Sequence, residues 1–280
     1  MKKGTSLFLL VLLVYLVTSC SFQKILKNGE PDAKYEAALK MYNEKDYSRA
    51  LQLFDQLMGV MRTSEKSQKI YYYYAYCYYY QKDYTLGAYY FKRFANNFPN
   101  TREAEECMFM SAYCNFLNSA DYYLDQSNTY DAIKDLQLFI NTYPTSSRIP
   151  ECNDLIDKLR SKLEFKDYKI AKMYYRMDEY IAAITCLNNI LKEYPETARK
   201  EDILYLTFKS YYKYAYSSVD QKKKERYGKA FATLNDLVQM FPSSKYLPEL
   251  NSMKVKAQNE VDRIGALTRK AKQTSENTKQ

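Results

Sequence analysis

Along most of this chain the apolar positions recur at helical spacing, and one register repeats. Gly87, Phe91, Phe94, Phe98 and Pro99 form one copy; Ala132, Leu136, Phe139, Tyr143 and Pro144 a second. Ala183, Leu187, Ile190, Tyr194 and Pro195 form a third, and Ala230, Leu234, Leu237, Phe241 and Pro242 a fourth. A weaker copy stands upstream at Ala50, Phe54, Leu57 and Met61, with Arg62 where the others have Pro. The offsets trace one face of an α-helix. The small residue admits a neighbouring helix, the large ones fill the interface, and Pro ends the helix because it has no N–H to donate. The small hydroxyl residues that follow, Thr101, Ser146, Thr197 and Ser244, are predicted N-caps of the next helix. Pro31, Pro150 and Pro248 stand at predicted helix starts, where Pro is tolerated.

A partner helix precedes each copy: Ala75 and Tyr78 before Tyr84 and Gly87, Ala171 and Tyr174 before Tyr180 and Ala183. This order of small and aromatic residues resembles the tetratricopeptide repeat, a helix-turn-helix unit of about 34 residues. The four prolines are 45, 51 and 47 residues apart, so these units are longer than that. The extra length is expected to lengthen helices or inter-helix loops, the loops being placed at Asn118–Asn128 and Ser217–Arg226. The expected fold is all-α, a tetratricopeptide-repeat α-solenoid of about five helix pairs spanning 33–271, with a C-terminal capping helix from Lys245 to about Ala271. A disordered tail is expected over 272–280.

The N-terminus changes the picture. Lys2 and Lys3 precede an apolar run from Leu7 to Val17, which has the length of a signal-peptide core and is too short to span a bilayer. It ends in Val17-Thr18-Ser19-Cys20, which looks like a bacterial lipobox. In such signals residues 1–19 are removed and the Cys is lipidated. Cys20 is therefore the expected lipid anchor, and 20–32 the expected flexible tether, with a reach of at most roughly 40 Å. Removing Lys2 and Lys3 lowers the formal charge from +9 to +7. On an exported chain that charge does not point to nucleic acid.

Composition narrows the chemistry. The 280 residues include no His and six Gly. A Ser-His-Asp triad, a Cys-His dyad and His-based metal sites are excluded, and no Gly-rich phosphate loop is present. No catalytic residue, metal or cofactor is expected. With Cys20 lipidated, the five remaining thiols, Cys77, Cys107, Cys114, Cys152 and Cys186, are too few by one for complete pairing and read as buried small hydrophobes.

Two surfaces stand out. The tetratricopeptide resemblance places Tyr35, Tyr42, Tyr72, Tyr76 and Tyr79 along an inner groove, with Phe109 and Tyr113 following in the third unit. Tyrosines offer rigid contact area with a polar tip, suited to an extended or helical peptide. The alternative is that these rings pack between repeats. The second surface is a basic stripe on the fourth unit's first helix: Lys158, Lys162, Lys166, Lys169, Lys172 and Arg176, with Arg199 and Lys200 as a smaller basic corner. It suits an acidic partner or anionic headgroups, the alternative being a solvated face.

A lipobox followed by five such pairs resembles the BamD family of β-barrel assembly lipoproteins. The most specific stretch runs from Tyr143-Pro144-Thr145-Ser146-Ser147 through Leu155–Tyr175, Asp178–Ala183 and Glu193-Tyr194-Pro195-Glu196-Thr197. The resemblance implies a non-enzymatic, periplasm-facing body anchored in the outer membrane. Its implied partners are the periplasmic domains of BamA, other lipoproteins of the assembly machine, and unfolded outer-membrane proteins whose targeting segments end in an aromatic residue. It also makes Arg199 and Lys200 candidate BamA contacts. The high Tyr content and Lys222–Arg226 depart from the family. The competing expectation is a general periplasmic repeat lipoprotein that organises envelope or cell-wall proteins.

Overall fold

The computed structural model describes residues 22–277, and among these the secondary structure is helical. The proposed signal segment and Cys20 lie outside the described residues. Residues 22–28 form α1. Five pairs follow: α2 (Pro31–Asn43) with α3 (Tyr47–Val60), α4 (Ser67–Tyr80) with α5 (Tyr84–Asn97), α6 (Arg102–Leu117) with α7 (Ser127–Thr142), α8 (Ile149–Arg176) with α9 (Tyr180–Glu193), and α10 (Lys200–Tyr216) with α11 (Asp220–Met240). α12 (Leu247–Asn277) closes the chain. The fold is all-α, of the tetratricopeptide-repeat solenoid class.

The Pro register acts as its chemistry requires. α5, α7, α9 and α11 each stop two residues before their Pro. The intervening residues, Phe98, Tyr143, Tyr194 and Phe241, share nearly one backbone conformation, φ −123 to −134° and ψ 52 to 69°. A residue before Pro is pushed out of the α region, so the aromatic turns in to pack while the helix ends. The small positions are fully buried at Ala50, Ala132, Ala183 and Ala230. At Gly87 a Cβ would sit 3.2 Å from the Cys114 sulfur, so α6 approaches closely there. The turns within pairs share a second device. Lys45, Lys82 and Asp178 take positive φ (62–63°). The next residue is the N-cap of the second helix; the Asp46 and Asp83 carboxylates accept the backbone N–H groups of Arg49 and Leu86.

The chain divides into two compact units, up to Leu159 and from Arg160 onward, the boundary falling within α8. The first unit's core is strongly aromatic: Tyr71, Phe91, Phe94, Phe109 and Phe139 in one cluster, Phe22, Tyr35, Phe54 and Tyr74 in another. The second unit's core is mainly aliphatic, with Leu187, Ile190, Ile203, Leu234, Leu237 and Leu250. α12 packs on α10 and α11 through Leu250 and Ala257, as a terminal cap should.

Several expectations are corrected. The tether is not flexible through residue 32: residues 22–28 are helical and Phe22 is 4% exposed, packed in the first cluster with Ile25 and Leu26 at its edge. The i, i+3, i+4 spacing of those three residues is enough for a short amphipathic turn. The segment expected to loop at Ser217–Arg226 is helical from Asp220, because Lys223 bridges Asp220 and Glu260 while Tyr227 is buried behind it. The loop expected near Asn118–Asn128 is present, with α7 starting at Ser127. α12 continues to Asn277, past the expected limit of 271. Thr101 is an N-cap by position, but its hydroxyl donates back to the Phe98 carbonyl. Ser146, Thr197 and Ser244 lie upstream of their helices and accept the N–H of the residue two ahead: Arg148, Arg199 and Tyr246. They build the turn rather than cap the helix.

Candidate functional site

The expected groove tyrosines sit on the first helices of the first unit's pairs. Tyr42, Tyr72, Tyr76, Tyr79 and Tyr113 are half-buried. Tyr42 meets Tyr73 edge-on at 4.7 Å and Tyr47 at 5.6 Å, and Tyr47 stacks on Tyr80 at 4.6 Å. Tyr72 and Tyr76 lie 4.8 Å apart, and Tyr76 touches Tyr79 and Tyr80 at 6.3 and 5.9 Å. Tyr113 stacks between Phe109 and Phe116. The tyrosine contacts join rings from α2, α3 and α4 into one aromatic surface, and the Tyr113 stack is a second one on α6. Burial raises the hydroxyl pKa of Tyr42, Tyr72, Tyr76 and Tyr79, so they stay neutral donors at any physiological pH. The Tyr76 hydroxyl donates to Glu106 at 3.0 Å.

Two expected groove residues are not surface residues. Tyr35 is buried in the cluster that contains Phe22, so the unforeseen α1 supplies the cover that a preceding repeat would give. Phe109 is buried under the Arg148 guanidinium, 4.2 Å above its ring, and against Phe139. Insertions in the third unit blur the register that would have shown this.

The expected basic surface is also rearranged. Lys158, Lys169 and Arg176 are exposed, whereas Lys162, Lys166 and Lys172 are half-buried. Leu159, Leu163, Glu164 and Ala171 are buried on the opposite side of α8, so the basic stripe keeps one face of the helix, open at Lys158, Lys169 and Arg176 and partly covered between them. Lys200 is half-buried at the start of α10. Arg199 is not a loose docking charge. Its guanidinium reaches the Glu164 carboxylate at 3.0 Å and lies 4.9 Å over Phe165, while the Thr197 hydroxyl donates to the other Glu164 oxygen at 2.6 Å. An open depression of about 580 Å³ lies beside this latch, lined by Arg160, Glu164, Tyr194 and Glu196 among others.

The same latch occurs in the first unit. The Ser146 hydroxyl donates to Glu105, and Arg148 reaches Glu106 and Glu151. In each latch a loop of the form Pro-x-hydroxyl-x-Arg clamps a carboxylate of the preceding pair's first helix. After Pro242 the hydroxyl remains as Ser244, but Tyr246 takes the Arg position and its hydroxyl reaches Asp202. The repeated spacing Ser146-x-Arg148 and Thr197-x-Arg199 was a usable signal; the carboxylate partners, 33 to 42 residues away, were not.

Among the described residues, no group of three or more His, Cys, Asp or Glu is placed to hold a metal. No described helix is long and apolar enough to cross a membrane. Cys77, Cys107, Cys114 and Cys152 are buried free thiols, and Cys186 is half-buried. Burial pushes Cys77 and Cys114 up to about 12 and Cys152 to about 11, which leaves almost no thiolate at neutral pH.

Fold and surfaces together define a helical-repeat scaffold whose accessible chemistry is aromatic rings and paired charges. The chain belongs to the YfiO outer membrane lipoprotein family, whose model matches residues 27–227. Its curated relatives include the outer membrane protein assembly factor BamD of Pasteurella multocida, 22% identical over 76% of this chain and 86% of that protein. BamD of Buchnera aphidicola is 24% identical over 76% of this chain and 92% of its own length. Among solved structures, a TPR repeats protein from Bacteroides fragilis aligns with 85% of this chain and 99% of its own at 15% identity and a TM-score of 0.41.

Proposed function

We propose that this chain is the non-catalytic lipoprotein subunit of an outer-membrane β-barrel assembly machine. In this role it docks onto the periplasmic domains of BamA, works beside the machine's other lipoproteins, and helps deliver unfolded outer-membrane proteins. The observation that carries the reading is the family match over residues 27–227, which takes in four helix pairs and reaches into the fifth, joined to a lipobox ending at Cys20. Acylation at Cys20 supplies the membrane attachment, since two or more acyl chains hold a protein stably.

The half-buried rings of Tyr42, Tyr72, Tyr76, Tyr79 and Tyr113 are the proposed receptor for aromatic-ended segments of unfolded barrels. Rings already packed against one another lose little freedom on binding, so contact with them is inexpensive in entropy. BamA docking is assigned to the second unit. There the exposed Lys169 and Arg176 and the depression beside the Arg199 latch are the candidate contacts, with Lys162, Lys166, Lys172 and Lys200 at their margins.

Depletion of the protein tests the reading. Folded porins should fall in the outer membrane, and BamA should co-purify with the protein in mild detergent at low salt. Normal porin levels together with recovery free of BamA would refute it. Tyr72→Ala with Tyr76→Ala should lower crosslinking to peptides carrying a barrel's C-terminal aromatic at least fivefold; unchanged crosslinking removes the aromatic surface from the account.

A further inference from the structure

The loop between α6 and α7 is the clearest departure from a minimal repeat, and it is built rather than slack. Gln126 is buried, and its amide nitrogen lies 2.8, 3.1 and 3.2 Å from the carbonyl oxygens of Asp121, Leu124 and Asp125. Its amide oxygen accepts from the hydroxyl of buried Thr129 at 2.8 Å. The Leu124 N–H donates to the Asp121 carbonyl, the Ser127 N–H to the Asp125 carboxylate, and Asn118 reaches Thr85 on α5. One buried side chain thus closes the loop from inside.

What this closed loop displays is apolar. Tyr123 is 66% exposed, Leu124 50% and, one turn into α7, Tyr130 60%. Tyr122 supports Tyr123 edge-on at 5.5 Å. With its hydrogen bonds made, the buried amide fixes the loop at little cost, and the exposed faces of Tyr123, Leu124 and Tyr130 add little to the core. A fixed aromatic and an aliphatic neighbour are instead the usual anchors of a protein interface.

Charge selects the partner. Residues 117–133 contain Asp121, Asp125 and Asp131 and no Lys or Arg, in a chain with 42 basic and 33 acidic residues. All three carboxylates are exposed. The nearest following cation, Lys134, lines a shallow polar depression together with Asp131. Three carboxylates around the tip disfavour an anionic membrane surface and favour a basic one.

We infer that the 118–130 loop is a preformed docking knob for a polypeptide partner that offers an apolar pocket rimmed by Lys or Arg. The knob lies on the first unit, and its occupancy does not depend on whether the scaffold serves barrel assembly.

The test places the photocrosslinker benzoylphenylalanine at position 123 of the full chain in its own membranes, with the same probe at Tyr216, 67% exposed, as control. The expected result is a discrete protein adduct from position 123, at least fivefold above the control. Its crosslinked peptide, mapped by mass spectrometry, should carry apolar residues flanked by Lys or Arg. Asp121→Lys with Asp131→Lys should cut the yield at least fivefold while the melting temperature stays within about 2 °C. Adducts to phospholipid, to a second copy of the chain, or to a partner segment without basic residues would overturn the inference. So would a yield no higher than the control, or one indifferent to the charge reversal. Normal porin levels on depletion with an intact adduct would sink the assembly function alone; a missing adduct with lost porins would sink only the knob.

Discussion

The two latches use one loop chemistry in two environments. In the first unit Arg148 meets a Glu106 side chain that is 32% exposed, and Glu105 and Glu151 share the loop's donors. In the second, Glu164 is 6% exposed and takes both Thr197 and Arg199 alone. A half-hydrated, shared ion pair contributes little net stability, whereas a buried carboxylate left without its cation is expensive. The same motif therefore trims a joint in one place and is required by it in the other. The cores differ in parallel, aromatic before Leu159 and mainly aliphatic after Arg160.

The core contrast gives the largest expected effect. Phe91→Ala, at a fully buried position, should cost about 4 kcal/mol, against about 3 kcal/mol for Leu187→Ala, measured by urea unfolding. Equal costs would mean that the aromatic cluster relaxes around its cavity. Next comes the latch. Arg199→Ala should destabilise the fold by about 3 kcal/mol because Glu164 stays buried without its cation. Arg148→Ala should cost only about 1 kcal/mol. Adding Glu164→Gln to Arg199→Ala should recover part of the loss; no recovery would contradict the stranded-charge account.

A smaller effect concerns acid. Hydrogen bonds from Arg263 and Lys223 hold the Glu260 carboxyl at about 2, below its ordinary 4.5. Burial opposes the Glu249 charge, yet hydrogen bonds from Lys209 and Tyr205 hold that carboxyl low as well. A depressed carboxyl contributes fully above the ordinary value and loses its contribution as pH falls through the folded one. Amide protection in α12 should therefore drop between about pH 4.5 and 2, relative to that of α4–α7. Uniform loss along the chain would remove these pairs as the cause. The smallest effect is chemical. At pH 8, Cys186 should react first with a disulfide reagent, and Cys77, Cys107, Cys114 and Cys152 should stay silent until the protein unfolds.

The helix pairs were legible because their signals are local. Pro99, Pro144, Pro195 and Pro242 end helices through a missing donor, and the small position eleven residues before each aromatic C-cap marks the packing face. Long-range facts were not legible. Nothing near Arg199 in sequence announces Glu164, and nothing near Tyr35 announces that Phe22 belongs to the same core. Of the candidate groove residues, Tyr42, Tyr72, Tyr76, Tyr79 and Tyr113 are half-buried, while Tyr35 and Phe109 were absorbed by elements whose placement the repeat pattern does not encode. Lys222–Arg226 read as loop because a charge run lacks an apolar face, but three salt-bridge partners, Asp220, Glu225 and Glu260, hold Lys223 and Lys229 in helix.

Phe22 has a mechanical consequence. It is seated in the core two residues after the proposed acylation point, and two residues of chain span at most about 7 Å. With Cys20 acylated, the lipid would act less as a leash than as a pivot. The first pair could swivel above the bilayer but not drift from it. Such a mount would keep the effective concentration of the first unit's surfaces at the membrane high and its spread narrow. Lengthening the link by a few residues would then dilute those surfaces without altering any contact they make.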